Sequence, residues 1–311
     1  MSQESRATRK TEAKEIGADE AHDEEQLTAV LHARHADDDI YTAVGGVLLA
    51  VNPYQQVRAC HPDEIRALAR ANAASADPTP PPHIFHIAAR AYAALLDEGP
   101  QSILVSGESG AGKTETTKLT LRCLVELSAS SSSLAEAMLE VSLLLESFGN
   151  AQTLLNKNSS RFGKWQELHF SSSGRISGCT VRHYLLELAR VSKPTEGERN
   201  FHVFHQLLAG ASADERAALR LGLATAADFR YTAGGARLAA DEDDARQWRS
   251  LQAALESVSV DSPRRDALSH LLAGILHLGN IDFAERSTPG PLLLRDASAA
   301  SLAADLLGFD L

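Results

Sequence analysis

The strongest constraint in this sequence is the octapeptide GESGAGKT at Gly107–Thr114. It fits the pattern G-x-x-x-x-G-K-[ST], in which glycines let the backbone wrap closely around a phosphate without Cβ clashes. The apolar run SILVS at 102–106 precedes it and reads as a buried parallel strand. The stretch Lys113–Leu127 follows with helical character. A strand entering and a helix leaving would aim backbone N–H groups and a helix N-terminus at one point, where a triphosphate is stabilised. Lys113 would reach the β- and γ-phosphates, and Thr114 would offer its hydroxyl to Mg²⁺. The alternative is a Gly/Ser-rich turn before a structural helix, and the flanking elements weigh against it.

Composition narrows the class. A hydrophobic share of 44% and a charged share of 23% are those of a chain that buries a core. No stretch approaches the ~18 uninterrupted apolar residues of a membrane helix, and the N-terminus lacks an apolar signal core. Three widely spaced cysteines, Cys60, Cys123 and Cys179, form neither a disulfide framework nor a metal pattern and point to a reducing, cytoplasmic compartment. The net charge of −11 argues against nucleic acid as a partner. Residues 1–40 hold eleven acids and five bases, so the charge is concentrated there. Residues 1–26 read as an acidic disordered leader.

From Leu27 the pattern changes. Leu27, Val30, Leu31 and Arg34 suggest a short amphipathic helix, and IYTAVGGVLLAVNPY (40–54) a β-rich run bending at Gly45–Gly46 and stopping at Asn52-Pro53. NAASADPTPPP (72–82) is a Pro-rich linker, and Ile84, Ile87, Ala88, Ala91 and Leu95 have helical spacing up to Gly99-Pro100. SASSSS (128–133) reads as a flexible loop before a helix through Phe148, and residues 165–187 as strands around the turn SSSG. Helices are expected near 202–210, 213–228, 242–257, 264–278 and 298–307.

These motifs carry a family resemblance. SILVSGESGAGKTETTK (102–118) resembles the phosphate loop of myosin motor heads. NKNSSRFGK (156–164), preceded by LLESFGNAQT (144–153), resembles the myosin switch I, and GERNFHVFHQLLAG (197–210) the segment after it. PHIFHIAARAY (82–92) and ILHLGNIDF (275–283) match in the right order, so the resemblance runs from about Leu27 to Leu311. Kinesins share the logic but not this loop or switch.

The resemblance implies an α/β phosphate-loop NTPase, with a twisted central sheet flanked by helices and a mostly helical upper 50-kDa-type subdomain, truncated. Residues 27–311 would be the N-terminal part of a motor domain. Its function would be the ATP-binding portion of an actin-based cytoskeletal motor with an actin-activated ATPase. ATP would be held by Gly107, Glu108, Ser109, Gly110, Ala111, Gly112, Lys113, Thr114 and Glu115, with Asn52 and Pro53 at the adenine and Asn156, Ser159 and Ser160 at the phosphates. Mg²⁺ would be bound by Thr114 and Ser160. Lys113, Asn156, Ser159 and Arg161 would carry the chemistry, Ser159 by helping to position the attacking water. Phosphoryl transfer is mostly positioning and charge neutralisation, so small hydroxyls, a lysine and a metal suffice. Arg161 would close the site by pairing with a switch II glutamate, a geometry suited to a guanidinium fork.

The sequence departs from the family pattern in places. Cys60 stands where an adenine-lining tyrosine is usual and supplies no aromatic face. Leu188 and Ala189 replace a usual Lys-Ser while Arg190 remains, His205 replaces a common tyrosine, and Thr116 replaces an asparagine. No D-x-x-G-[FY]-E switch II is present in the 311 residues, and GFD at 308–310 lacks its spacing. On this reading Arg161 lacks a partner and the chain binds nucleotide with little hydrolysis. The alternative is a non-catalytic or degenerate nucleotide-binding fragment. Actin filaments would be the partner of an intact head, with light chains and cargo not encoded here. The pairs His32/His35, His83/His86 and His202/His205 have i, i+3 spacing but no evident third ligand, so packing or surface roles are expected.

Overall fold

The computed structural model describes residues 24–57, 81–129, 132–238, 241–284 and 293–310. The expectations for residues 1–23 of the leader, for Cys60 and for most of the Pro-rich linker fall outside them, while residues 24–26, expected as disordered leader, are helical. The chain divides into two compact units, Met1–Ala135 with Leu168–Cys179, and Glu136–Glu167 with Thr180–Leu311.

The first unit opens with helix α1 (Glu24–Ala36). Its half-buried residues, Leu27, Leu31, Arg34 and His35, recur at helical spacing, but none of its residues is fully buried. Strands β1 (Tyr41–Val44) and β2 (Val47–Ala50) pair antiparallel, Tyr41 opposite Ala50 and Val44 opposite Val47. The turn between them is Gly45–Gly46, with Gly45 at φ +55°, a conformation that glycine adopts without Cβ strain. Helix α2 (Ile84–Glu98) is capped by the His83 ring, which accepts from the Phe85 amide, and it ends at Gly99 with φ +98°. Helix α3 (Lys113–Leu127) packs on α2. Ile40, Tyr41, Ile84, Phe85, Ala88, Leu119, Cys123 and Leu124 bury one core together with Ile176.

The second unit contains most of helix α4 (Ser132–Gly149), the short antiparallel pair β3 (Asn150–Ala151) and β4 (Ser159–Ser160), and a helical array. Strands β5 (Gly163–Phe170) and β6 (Ile176–Tyr184) form a hairpin around the expected SSSG turn, and its tip goes with the first unit. Helices α5 (Ala189–Ser192), α6 (His202–Gly210), α7 (Ala213–Ala218), α8 (Arg230–Ala233), α9 (Asp241–Ser257) and α10 (Ser262–Gly279) follow. The pair β7 (Phe283–Ala284) and β8 (Leu293–Leu294) precedes helix α11 (Ser298–Leu307). Phe201, Phe204, Leu207, Trp248, Leu251, Leu272 and Leu276 form the second core.

Three expectations are corrected. The helix expected over 213–228 stops at Ala218, because Arg220 and Gly222 turn to φ +56° and +53°. The expected strand over 184–187 ends at Tyr184, the last residue of β6, and 185–187 are not strand. The run 102–106 is not a strand either, and Leu104 is 91% exposed. Among the described residues every sheet has two strands, so none lies beside 102–106 to take its backbone N–H and C=O groups. The expected twisted central sheet is therefore not seen in the described residues, which nonetheless mix helix and strand.

Candidate functional site

The sequence-expected site residues fall into both units. In the first, residues 107–112 form a glycine turn that runs directly into α3. Gly110 and Gly112 have φ of +84° and +94°, values that would strain any side-chain-bearing residue. Gly112 is the N-cap of α3, and no side chain caps the helix, so its first amides are available to an anion. The loop closes on itself through the Ala111 amide, which donates to the Glu108 carbonyl at 3.2 Å.

Lys113 folds back over this turn. Its Nζ donates to the carbonyls of Gly107 at 2.7 Å and Glu108 at 2.8 Å. The lysine thus lies over the loop, placed to exchange carbonyls for phosphate oxygens. Thr114 stands in the first turn of α3, and its hydroxyl makes no hydrogen bond to a described residue. Glu115 faces outward and pairs with Lys118 at 3.1 Å, so its carboxylate is already engaged. Asn52 clamps the loop from β2's far end. Its Nδ2 donates to the Gly110 carbonyl at 2.6 Å, and its Oδ1 accepts from the Tyr54 amide at 2.9 Å. This gives Asn52 a structural duty that the adenine-pocket resemblance did not reveal. Pro53 follows it, half-buried.

In the second unit, Asn156, Ser159, Ser160 and Arg161 lie together. Asn150 pairs with Ser160 and Ala151 with Ser159, which makes 152–158 a loop closed by a two-residue ladder. The Asn156 side chain accepts from the Asn158 amide at 2.9 Å, and its carbonyl accepts from the Thr153 amide at 2.9 Å. Asn158 links the loop to its surroundings: it accepts from Asn150 at 2.9 Å and donates to Glu146 at 3.0 Å. Ser159 is buried and Ser160 exposed, as alternation along a strand dictates.

Arg161 has a partner, contrary to expectation. Its Nε donates to Glu187 Oε2 at 2.7 Å and its Nη1 to the Ser159 hydroxyl at 3.1 Å. Glu187 also takes Arg190 Nε at 2.7 Å, and Arg190 reaches Glu198 at 2.8 Å. Arg190 is 1% exposed. Burial works against its charge, but Glu187 and Glu198 outweigh that and raise its pKa. Burial likewise opposes the Glu187 carboxylate, and the bonds from Arg190 and Arg161 hold its pKa below the ordinary carboxylate value. Sequence reasoning missed Glu187. The signal was its i, i+3 spacing to the retained Arg190.

Within the expected histidine pairs, His83 caps α2 and His205 packs in the interior. His205 is buried among core residues with neither ring nitrogen hydrogen-bonded to a described residue. Burial, and then the charge of Arg199, push its pKa well below the usual value. His202 is lowered to about 4 for the same reasons, with Asp243 opposing. Cys123 is buried, and burial pushes its thiol up to about 12, which leaves it inert.

Comparison with known proteins adds the decisive observation: the myosin head (motor domain) family matches residues 19–311. The chain belongs to the myosin head family. It is 42% identical to unconventional myosin heavy chain 6 of Caenorhabditis elegans over 259 residues, which is 83% of this chain and 12% of that protein. It is 38% identical to unconventional myosin-VI of Homo sapiens over 311 residues, 90% of this chain and 24% of that protein. To unconventional myosin-Va of Gallus gallus it is 41% identical over 290 residues, 91% of this chain and 16% of that protein. The chain therefore spans a quarter or less of these myosins. Both the Gly107–Thr114 turn and the 156–161 loop lie inside the myosin head match.

Proposed function

We propose that this chain forms the ATP-binding part of an actin-based motor head. The observation that carries the reading is the Gly107–Thr114 turn, which delivers an uncapped helix N-terminus and a lysine to one place within a myosin head sequence.

The residues present fit Mg-ATP. Gly110 and Gly112 leave room for close backbone approach, and the amides at the start of α3 suit phosphate oxygens. Lys113 would exchange the Gly107 and Glu108 carbonyls for the β- and γ-phosphates. Glu108, Ser109 and Ala111 would contribute main-chain contacts, and Asn52 would hold the loop in shape. The Thr114 hydroxyl would be one ligand to Mg²⁺. In the second unit, taken by itself, Ser160 is the candidate for a hydroxyl ligand to the ion, and Asn156 and Ser159 are the candidates for phosphate contacts. A bound Mg²⁺ would supply charge neutralisation at the phosphates. Arg161, held against Ser159, orients that hydroxyl. In a full motor this binding would be coupled to actin filaments in the cytoskeleton.

The test is titration of a fluorescent ATP analogue in the presence and absence of Mg²⁺, with Lys113→Ala as control. Loss of charge-assisted bonds to phosphate is expected to weaken binding about tenfold to a hundredfold. Equal binding by both proteins would remove the site assignment.

A further inference from the structure

We propose, resting on the nucleotide reading above, that Asn158 is a positioning residue for the loop segment that carries Asn156, Ser159 and Ser160, and that it works with a His202 protonated on Nε2. Residues 152–158 form a loop with little apolar anchoring, since Leu154 and Leu155 are 73% and 90% exposed. Burial therefore contributes little to where the loop lies, and polar bonds decide it. Some of those bonds are local. The Thr153 hydroxyl accepts from the Asn156 amide at 3.1 Å, and the Asn156 side chain from the Asn158 amide at 2.9 Å. Such bonds set the loop's shape but not its place. At its start the loop is tied by the Gln152 carbonyl, which accepts from the Arg199 amide at 2.9 Å, and by the Leu154 amide, which donates to Glu198 at 3.4 Å. At its end the tie is the Asn158 carboxamide.

That one group reaches three elements. Asn158 Nδ2 donates to Glu146 Oε2 on α4 at 3.0 Å. Its Oδ1 accepts from Asn150 Nδ2 on β3 at 2.9 Å and meets His202 Nε2 on α6 at 3.1 Å. Glu146 fixes the polarity of this chain. A carboxylate only accepts, so the Nδ2 end of Asn158 must face it. The Oδ1 end then faces Asn150 and His202, and both must donate. A neutral imidazole has a single N–H, so His202 carries it on Nε2. Burial, and then Arg199, lower the His202 pKa to about 4 against the opposing charge of Asp243, so the ring is neutral at pH 7. Turning the Asn158 amide over would set its oxygen against the Glu146 carboxylate.

In the chain Asn158 lies two residues after Asn156 and directly before Ser159, so a tie at Asn158 places both. The residue is exposed, and water competes for each of its bonds. Losing them therefore frees the loop more than it unfolds the protein. Removing a group that only orients a ligand-bearing neighbour still costs affinity, typically about tenfold to a hundredfold at metal sites.

The experiment compares Asn158→Ala, His202→Gln and His202→Leu with the unaltered 311-residue chain. Amide hydrogen exchange over 152–158 reports loop order, and titration of the fluorescent ATP analogue with Mg²⁺ reports binding. Asn158→Ala is expected to speed that exchange and to weaken binding, each about tenfold, with the chain still unfolding cooperatively in urea. His202→Gln keeps an N–H donor where Nε2 stood and is expected to stay within about twofold of the unaltered chain in both readouts, whereas His202→Leu follows Asn158→Ala. Should Asn158→Ala fail to fold, the two His202 variants decide. Unchanged exchange in folded Asn158→Ala, faster exchange with unchanged binding, or His202→Gln no better than His202→Leu would each overturn the proposal. Equal binding by Lys113→Ala and the unaltered chain would instead remove the nucleotide site, and the exchange comparison would still decide whether Asn158 places the loop.

Discussion

At the residue scale, Glu187 is the side chain on which most depends, because it serves a half-exposed arginine and a buried one together. The Arg161–Glu187 pair lies at 28% and 34% side-chain exposure, where solvent screening limits a pair to about 0.5–1 kcal/mol. The Arg190 side of the network is drier, and removing its carboxylate leaves a buried charge less compensated. Glu187→Gln is therefore expected to lower stability by about 2 kcal/mol, and Arg161→Ala by less than 1 kcal/mol. A double-mutant cycle in urea would give the coupling. Additive losses would mean that Arg161 gains nothing from Glu187. His205 offers a pH test. Its folded pKa lies below the unfolded value, as does that of His202. Between pH 6.5 and about 4 the unfolded chain binds more protons, so stability is full above 6.5 and falls as pH drops. The slope is at most about 1.4 kcal/mol per pH unit for each linked proton. Arg199 faces both rings and steepens the loss, while Asp243 opposes it at His202. His205→Phe removes two unsatisfied nitrogens and is expected to flatten the profile between pH 4 and 6.5 in thermal melts. An unchanged slope would assign the acid sensitivity elsewhere.

At the element scale, the end of α4 decides how the 150–161 loop is presented. Gly149 closes that helix, and a Cβ there would sit 2.4 Å from the Phe162 ring. The Arg161 amide donates to the Gly149 carbonyl at 2.8 Å, so the same short stretch sets the position of the arginine. Gly149→Ala is expected to cost about 2–3 kcal/mol by overpacking, and a second change, Phe162→Leu, to recover part of it. Chemical denaturation of the single and double variants checks this, and a neutral Gly149→Ala would show that the ring moves freely. Much at this scale was legible in the sequence. The Gly45–Gly46 hairpin, α2 between the Pro-rich run and Gly99, and α3 behind the glycine loop all follow from local turn chemistry and periodicity. The SSSG turn followed for the same reason. Helix α7 was overextended because alanine-rich sequence favours helix on both sides of a break, and the break is set by backbone turns at Arg220 and Gly222. The i, i+3 pair of Glu187 with Arg190 was legible, but the bond from Arg161, 26 residues away, and that from Asn158 to Glu146, 12 residues away, were not, because folding alone brings those segments together.

At the scale of the whole molecule, the turn at 107–112 was legible in the sequence, while the central sheet expected around it is not seen among the described residues. A motif records local backbone needs such as positive φ and close approach. A sheet depends on which strands are present to pair, and that is a property of distant sequence. The run 102–106 shows the difference. Ile103, Leu104 and Val105 have strand-like composition, yet no described strand borders them, and Leu104 is 91% exposed. Leu155, Leu185 and Leu223 are also at least 90% exposed, so apolar surface is shown at several places. An unpaired apolar run with free backbone groups is a template for pairing with another chain. The 311-residue chain is therefore expected to associate as concentration rises, with added β-structure by circular dichroism. Leu104→Lys places a charge in the run, and edge charges oppose such pairing. Sedimentation velocity should then show a shift toward monomer, while binding of the ATP analogue stays within a few-fold of the unaltered chain. Association that is indifferent to Leu104→Lys would move the sticky surface to the other exposed leucines, and a monomeric unaltered chain at high concentration would show that the run is covered in solution.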